Sequence, residues 1–190
     1  MFYHDKLAAI VDILSDGGLI LLPTDTTWGI SCDATNPEAV QKLRDLIQRP
    51  TTQGVVTIVS SIQMLHSYVN HVHPRVENVL AYHTRPLSMI YDSGVGVAPN
   101  IAAADGSVAV RVTSDSFCKF LIEQFGKPIV CVVACLDGQT TPTHFGGISS
   151  EILQNVAHVV RYRQEEKNLP PPSVIAKFNE LTDELDFFRT

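Results

Sequence analysis

Nothing in this sequence is suited to crossing or leaving through a membrane. No apolar run approaches the roughly 18 residues that a spanning helix needs, and Met1 to Ile10 lacks the basic start and apolar stretch of a secretory signal, so the cytoplasm is the expected location. An excess of positive charge is also missing. The 14 lysines and arginines stand against 20 aspartates and glutamates, a formal charge of −6, which disfavours non-specific nucleic-acid binding but permits a local cationic pocket. The four cysteines, Cys32, Cys118, Cys131 and Cys135, form neither a CxxC nor a zinc-type pairing. Lying mostly in apolar runs, they read as buried reduced thiols.

Metal-ligand patterning is equally sparse. His71 and His73 would share a face of an extended segment, but Pro74 marks a helix start directly after them and no third ligand is evident. The "GVGV" at Gly94 to Val97 has no strand-to-helix setting and reads as a loop, not a dinucleotide cradle. No internal repeat is visible.

What is present suffices for a core. With 190 residues, 45% of them hydrophobic, the chain suits one domain over residues 1–190, or a domain with a small flap. Leu7, Ile10, Val11 and Leu14 share a helical face ending at Gly17-Gly18, before a strand at Leu19 to Leu22. Asn36-Pro37-Glu38 opens a helix that stops near Pro50, and Val55 to Val59 is a buried strand. Helices follow from Ser61 to Tyr68 and from Pro74 to Tyr82, then a strand at Leu87 to Tyr91 and a loop through Ser107.

Val108 to Val112 is strand-like, Ser114 is expected to cap a helix ending at Gly126, and Ile129 to Cys135 is the most hydrophobic strand. A turn-rich loop, a helix at Ser149 to Val156, a strand at His158 to Tyr162 and a hairpin over Val174–Lys177 and Leu185–Phe188 complete the chain. Strands interleaved with helices predict an α/β (α+β) fold around a mixed twisted sheet.

The segment Pro23 to Thr27 places a rigid polar elbow at the end of a buried strand, before the chain's one tryptophan, Trp28. One reading is purely structural: Pro23 fixes a turn, Asp25 or Thr26 satisfies backbone donors, and Trp28 packs in the core. The other is the wall of a binding pocket.

The stretches "PTDTTWGISCDATNPEAVQKLRDLIQRP", "GVVTIVSS", "SVAVRVTSD", "GKPIVCVVACLDGQTTPT" and "PPSVIAKF" resemble, in order and spacing, the YrdC-like threonylcarbamoyl-AMP synthase family. The resemblance runs from about Gly18 to the C-terminus. It implies a YrdC-like twisted mixed β-sheet with flanking helices and a concave, positively charged groove. It also implies conversion of L-threonine, bicarbonate and ATP into threonylcarbamoyl-AMP and pyrophosphate with Mg2+, for the threonylcarbamoyl modification of adenosine in tRNA. A related branch, resembling YciO, keeps the fold with a less settled role, and the fold has also been linked to double-stranded RNA.

Adenylyl transfer requires an acceptor oxygen in line with the α-phosphorus and neutralised phosphate charge, and no nucleophilic side chain. By resemblance, Thr26 helps hold the threonine substrate, with Thr24, Asp25 and Trp28 shaping that wall. Arg49 meets the ATP phosphates, Arg111 is a strand arginine that needs a partner or a polar groove, and Ser173 closes over substrate. Ser88 and Arg189 match positions near the nucleotide.

Departures from the family pattern are equally specific. Ile47 stands where the family's first basic position carries lysine, and Gln53 where a second lysine or an asparagine is common. Val133-Ala134-Cys135-Leu136-Asp137-Gly138 replaces the family's S-A-N-x-S-G, and Thr84-Arg85 replaces a proline and glycine. Arg85 would either compensate the lost charge or lie solvated. Two functions therefore stay open: a threonylcarbamoyl-AMP synthase, or a non-catalytic nucleotide- or double-stranded-RNA-binding paralogue.

Overall fold

The structure is a computed structural model that describes residues 6–48, 50 and 53–189. Helix α1 (Leu7–Ser15) buries Ile10 and Leu14, and Gly17, at φ 72°, turns the chain into β1 (Ile20–Pro23). The chain returns antiparallel as β2 (Trp28–Asp33), pairing Pro23 with Trp28 and Ile20 with Ser31. The elbow is thus the tip of a hairpin. Helix α2 (Pro37–Ile47) starts as its sequence predicts: the Asn36 side chain accepts from the amides of Glu38 and Ala39, and proline occupies the first turn.

Strand β3 (Val56–Val59) precedes α3 (Ile62–Tyr68) and α4 (Pro74–Tyr82), capped by Ser61 and His73 respectively. Strands β4 (Leu87–Tyr91) and β5 (Val108–Val112) lead to α5 (Ser116–Phe125), which ends at the left-handed Gly126. The cap of α5 is Asp115, whose carboxylate accepts from the Cys118 amide; Ser114, expected there, instead turns its amide and hydroxyl to Asp25. Strand β6 (Ile129–Val133), α6 (Ser150–Asn155), β7 (His158–Val159), β8 (Val174–Asn179) and β9 (Glu184–Arg189) complete the order. Strand β7 is shorter than the predicted His158 to Tyr162, because the chain turns at residues 162–165.

Among the described residues all nine strands form one mixed sheet, in the order β7-β1-β2-β6-β3-β5-β4-β8-β9. The pairs β1·β7, β3·β5 and β4·β8 are parallel and the rest antiparallel. Side chains alternate between the two sheet faces. One face carries Leu21, Ile30, Val130, Val132, Val110 and Met89 into a cluster with α2, α3, α4 and α6. The other carries Ile20, Leu22, Ile58, Ile129 and Cys131 against α1 and α5.

That second layer covers only part of its face. The pairings Ile129↔Ile58, Ile58↔Arg111, Arg111↔Ser88, Ser88↔Ile175 and Ile175↔Arg189 define one row across five neighbouring strand pairs. The row begins under α5 and ends at the exposed Arg189 of β9. No helix among the described residues is long and apolar enough to cross a membrane.

Candidate functional site

The elbow is held from within and from outside. Thr24 Oγ1 donates to the Thr27 carbonyl at 2.9 Å, accepts from the Thr26 amide at 3.0 Å, and lies 2.9 Å from Thr26 Oγ1. These local bonds are those of a hydroxyl-closed turn. From outside, the start of α5 braces it: Cys118 Sγ contacts the Pro23 carbonyl, and the Ser114 amide donates to Asp25 Oδ2 at 3.0 Å.

Arg111 enters this frame from β5. Its Nη2 lies 3.1 Å from Asp25 Oδ1, with both side chains 5% exposed, and its Nη1 donates to Thr26 Oγ1 at 3.4 Å. A guanidinium in the interior of a sheet needs such company. Its Nε–H is buried without a hydrogen-bond partner among the described residues. A buried charged donor of this kind costs stability unless something else satisfies it.

On the far side of the row, Ser88 Oγ lies 2.8 Å from Ser173 Oγ, and both are buried. Arg189 donates from Nε to the Ser173 carbonyl at 2.8 Å and from Nη2 to Ser173 Oγ at 3.2 Å. Thr24, Thr26, Arg111, Ser173 and Arg189 together line a cavity of about 60 Å³ over Gly29 and Val133. Gly29 is what keeps its floor open, since a Cβ there would collide with Cys131 Sγ and meet the Val132 carbonyl at 3.2 Å.

Val133, Pro172 and Arg189 also border an adjoining cavity of about 190 Å³, lined by Ile47, Cys135, Leu136, Asp137, Gln139 and Thr141. The loop substitutions noted in the sequence therefore face this second chamber. Arg189 is the one cation and Asp137 the one carboxylate among its described lining residues.

Of the sequence-derived candidates, Thr24, Thr26, Arg111, Ser173 and Arg189 meet at the first cavity, and Ser88 stands behind Ser173. Arg49 lies outside the described residues. Trp28, expected to help shape the threonine-facing wall, is fully buried on Phe145 with ring centroids 4.9 Å apart, so it packs the core beneath the elbow. Arg85 is exposed at the entry to β4. His73 Nδ1 accepts from the Arg75 amide and its ring stacks on Phe178 at 4.4 Å.

All four thiols are unbridged, with Cys32, Cys118 and Cys131 buried. Burial pushes each of those three thiols up from its ordinary range. The Arg111 charge partly offsets this at Cys131.

The sequence reading missed two groups. Arg44, fully buried in α2, donates to the carbonyls of Asn100, Pro50 and Gln53 at 2.8 to 3.1 Å. Arg163 reaches the Thr24 carbonyl from a turn far along the chain. Only the amphipathic pattern of α2 marked Arg44, by placing a charge on its apolar face.

Comparisons with known proteins match this architecture. The family model Sua5/YciO/YrdC, described as "Telomere recombination", matches residues 12–189. A Vibrio parahaemolyticus protein named threonylcarbamoyl-AMP synthase is 31% identical over 137 residues, 70% of this chain and 74% of its own. A Vibrio campbellii protein of the same name is 27% identical over 175 residues, covering 90% of this chain and 95% of its own.

Among solved structures, P. abyssi Sua5 complexed with L-threonine superposes with a TM-score of 0.84 at 18% identity, over 100% of this chain. The chain spans about half, 54%, of that Sua5 chain. E. coli YciO gives a TM-score of 0.81 at 19% identity, over 96% of this chain and 87% of its own. At such identities the structural likeness establishes the fold.

Proposed function

The chain belongs to the Sua5/YciO/YrdC family, and on that premise we propose that its groove is a threonylcarbamoyl-AMP synthase site, taking L-threonine, bicarbonate and ATP. The observation that carries this reading is the convergence of Arg111, with its unsatisfied Nε–H, and the Thr24 and Thr26 hydroxyls on one small cavity. A buried guanidinium beside two hydroxyls suits an amino acid bearing a carboxylate and a hydroxyl. The relatives named threonylcarbamoyl-AMP synthase and the Sua5 complex with L-threonine support the same ligand.

The first cavity, about 60 Å³, suits a small metabolite and falls well below the roughly 300 Å³ at which pockets for drug-sized ligands begin. The nucleotide would therefore extend past Arg189 into the second chamber. In this arrangement Arg111, Thr24 and Thr26 orient the amino acid. Arg189 holds charge beside the phosphates, and Ser173, fixed by Ser88 and Arg189, closes the amino-acid side of the groove.

An acceptor oxygen built on the threonine side would then meet the α-phosphorus where the two cavities adjoin, with pyrophosphate leaving in line. The residues position and neutralise; no side chain becomes covalently bonded. Mg2+ favours phosphate oxygens with one or two carboxylates, and among the described lining residues of the second chamber Asp137 is the carboxylate that would hold it. When bound, the metal supplies neutralisation of the phosphate charge.

A second reading rests on that same chamber. Ile47, Cys135 and Leu136 give its wall few donors for a triphosphate, which suits a paralogue that binds a nucleotide or double-stranded RNA without turnover. Pyrophosphate release with L-threonine, bicarbonate, ATP and Mg2+ separates the two. Release by the wild type that is lost in Arg111→Gln supports the synthase. Absence of release together with measurable nucleotide or RNA binding supports the paralogue.

A further inference from the structure

Arg163 lines neither cavity, yet its guanidinium engages three groups from separate parts of the chain. It sits in the turn of residues 162–165 with a left-handed backbone, φ 62°, which long side chains adopt rarely and only where their surroundings hold them. Its side chain is 17% exposed. Nη1 donates to the Thr24 carbonyl at 2.9 Å and to Asp115 Oδ2 at 2.8 Å, while Nε and Nη2 both meet Glu166 Oε2 at 2.7 Å. The Glu166 bond holds the guanidinium firmly in its charged form.

Each contact reaches a different part of the molecule. Thr24 belongs to the elbow, and Asp115 caps α5 through its other oxygen, Oδ1, which accepts from the Cys118 amide. Neighbouring Tyr162 stacks on Phe117 of α5 at 5.6 Å, seating the turn on that helix. From the turn the chain runs on to Pro172 and Ser173, which form the opposite wall of the cavity. One guanidinium thus joins the threonine-bearing elbow, the helix that braces it, and the segment leading to the facing wall.

We propose that Arg163 is a positioning residue for the amino-acid pocket. By holding the Thr24 carbonyl it fixes the plane of the peptide after Thr24, and through it the direction of the Thr24 and Thr26 hydroxyls. It touches no ligand. Glu166 pre-orients the fork, so the contact with Thr24 is made without an ordering step when ligand arrives.

The proposal rests on L-threonine as the pocket's ligand, and its experiment has one arm that does not. In the first arm, steady-state kinetics are measured for wild type, Arg163→Gln and Arg163→Lys. Arg163→Gln is expected to raise the KM for L-threonine about ten- to a hundredfold, the range for a lost charge-assisted hydrogen bond. The KM for ATP should change by less than about twofold, and Arg163→Lys, whose single ammonium reaches both the carbonyl and Asp115, should recover most of the loss. A merely structural role would lower kcat through a smaller folded fraction and leave both KM values alone.

In the second arm, hydrogen exchange of the Thr26 amide, which is bonded to Thr24 Oγ1, is followed without ligand. It should quicken in Arg163→Gln while α2 amides keep their wild-type rates. An unchanged Thr26 amide, or quickening shared equally by α2, would overturn the proposal. If the wild type neither binds nor turns over L-threonine, the functional reading fails and the exchange arm still decides the role of Arg163.

Discussion

Arg111 and Asp25 form an ion pair 3.1 Å apart with both side chains 5% exposed, and together they join the middle of the sheet to the tip of the first hairpin. Removing one member of a buried pair leaves the other without its counter-charge, a cost of about 3 to 5 kcal/mol in general. Asp25 keeps its Ser114 donors, so Arg111→Leu is expected near the lower end, about 3 kcal/mol. Combining it with Asp25→Asn should recover about 1 kcal/mol or more. Urea midpoints of the two singles and the double check this, and strict additivity would refute the coupling.

Gly29 faces the buried Cys131 thiol, and a methyl group there has no room. Gly29→Ala is expected to cost about 1 to 3 kcal/mol by overpacking. Adding Cys131→Ala should restore part of the stability, though the Val132 carbonyl still crowds the new methyl. Thermal denaturation of the three variants measures it; a Gly29→Ala protein as stable as wild type would contradict the close approach.

The three buried thiols carry a pH prediction. Their folded-state ionisation is pushed upward by burial, while in the unfolded chain they ionise near about 8.5. Above that value the unfolded state has lost protons that the folded state retains. Stability is therefore complete below about pH 8.5 and falls as pH rises beyond it, by up to about 1.4 kcal/mol per unit for each thiol. Urea denaturation from pH 7 to 10 should show this slope, and Cys118→Ala should make it shallower. At neutral pH a thiol reagent should find Cys135 first and the other three only after unfolding.

Ser88 and Ser173 are paired at 2.8 Å in a buried position. Ser88→Ala leaves Ser173 with Arg189 as donor, so a loss of about 1 kcal/mol is expected. The double alanine variant should lose less than the sum of the singles, because no hydroxyl is then left alone. Chemical denaturation gives each value.

Much of the layout was readable because helix ends carry chemistry. Asn36-Pro37 and Gly126 mark the ends of α2 and α5 through capping and left-handed backbone, which depend on neighbours in sequence. Strand β2 is legible in hindsight, since "WGISCD" alternates Trp28, Ile30 and Cys32, which enter one core cluster, with Gly29, Ser31 and Asp33; the polar elbow directly before it masks the start of a strand. The spacing points to Ser114 as the cap of α5, since local sequence cannot reveal that Asp25, distant along the chain, claims its donors. Arg163 was hidden for a similar reason: within "RYRQEEKN" it looks like one charge of a solvated run, and its value lies in a carbonyl far earlier in the chain. Trp28 suits wall or core equally by sequence, and it is the ring of Phe145, far along the chain, that places it in the core.

The row that carries Arg111, Ser88 and Arg189 runs from the centre of the sheet to its last strand. Neither half of the sheet holds a whole pocket, so a molecule lodged between β5 and the closing hairpin acts as a staple that no partly opened chain can keep. Occupancy at a hundred times the Kd would add about 2.7 kcal/mol against that opening. The benefit should fall most heavily on β9, whose outer edge has no partner strand among the described residues. Slowed amide exchange along β9 would thus report an occupied groove even when no reaction follows.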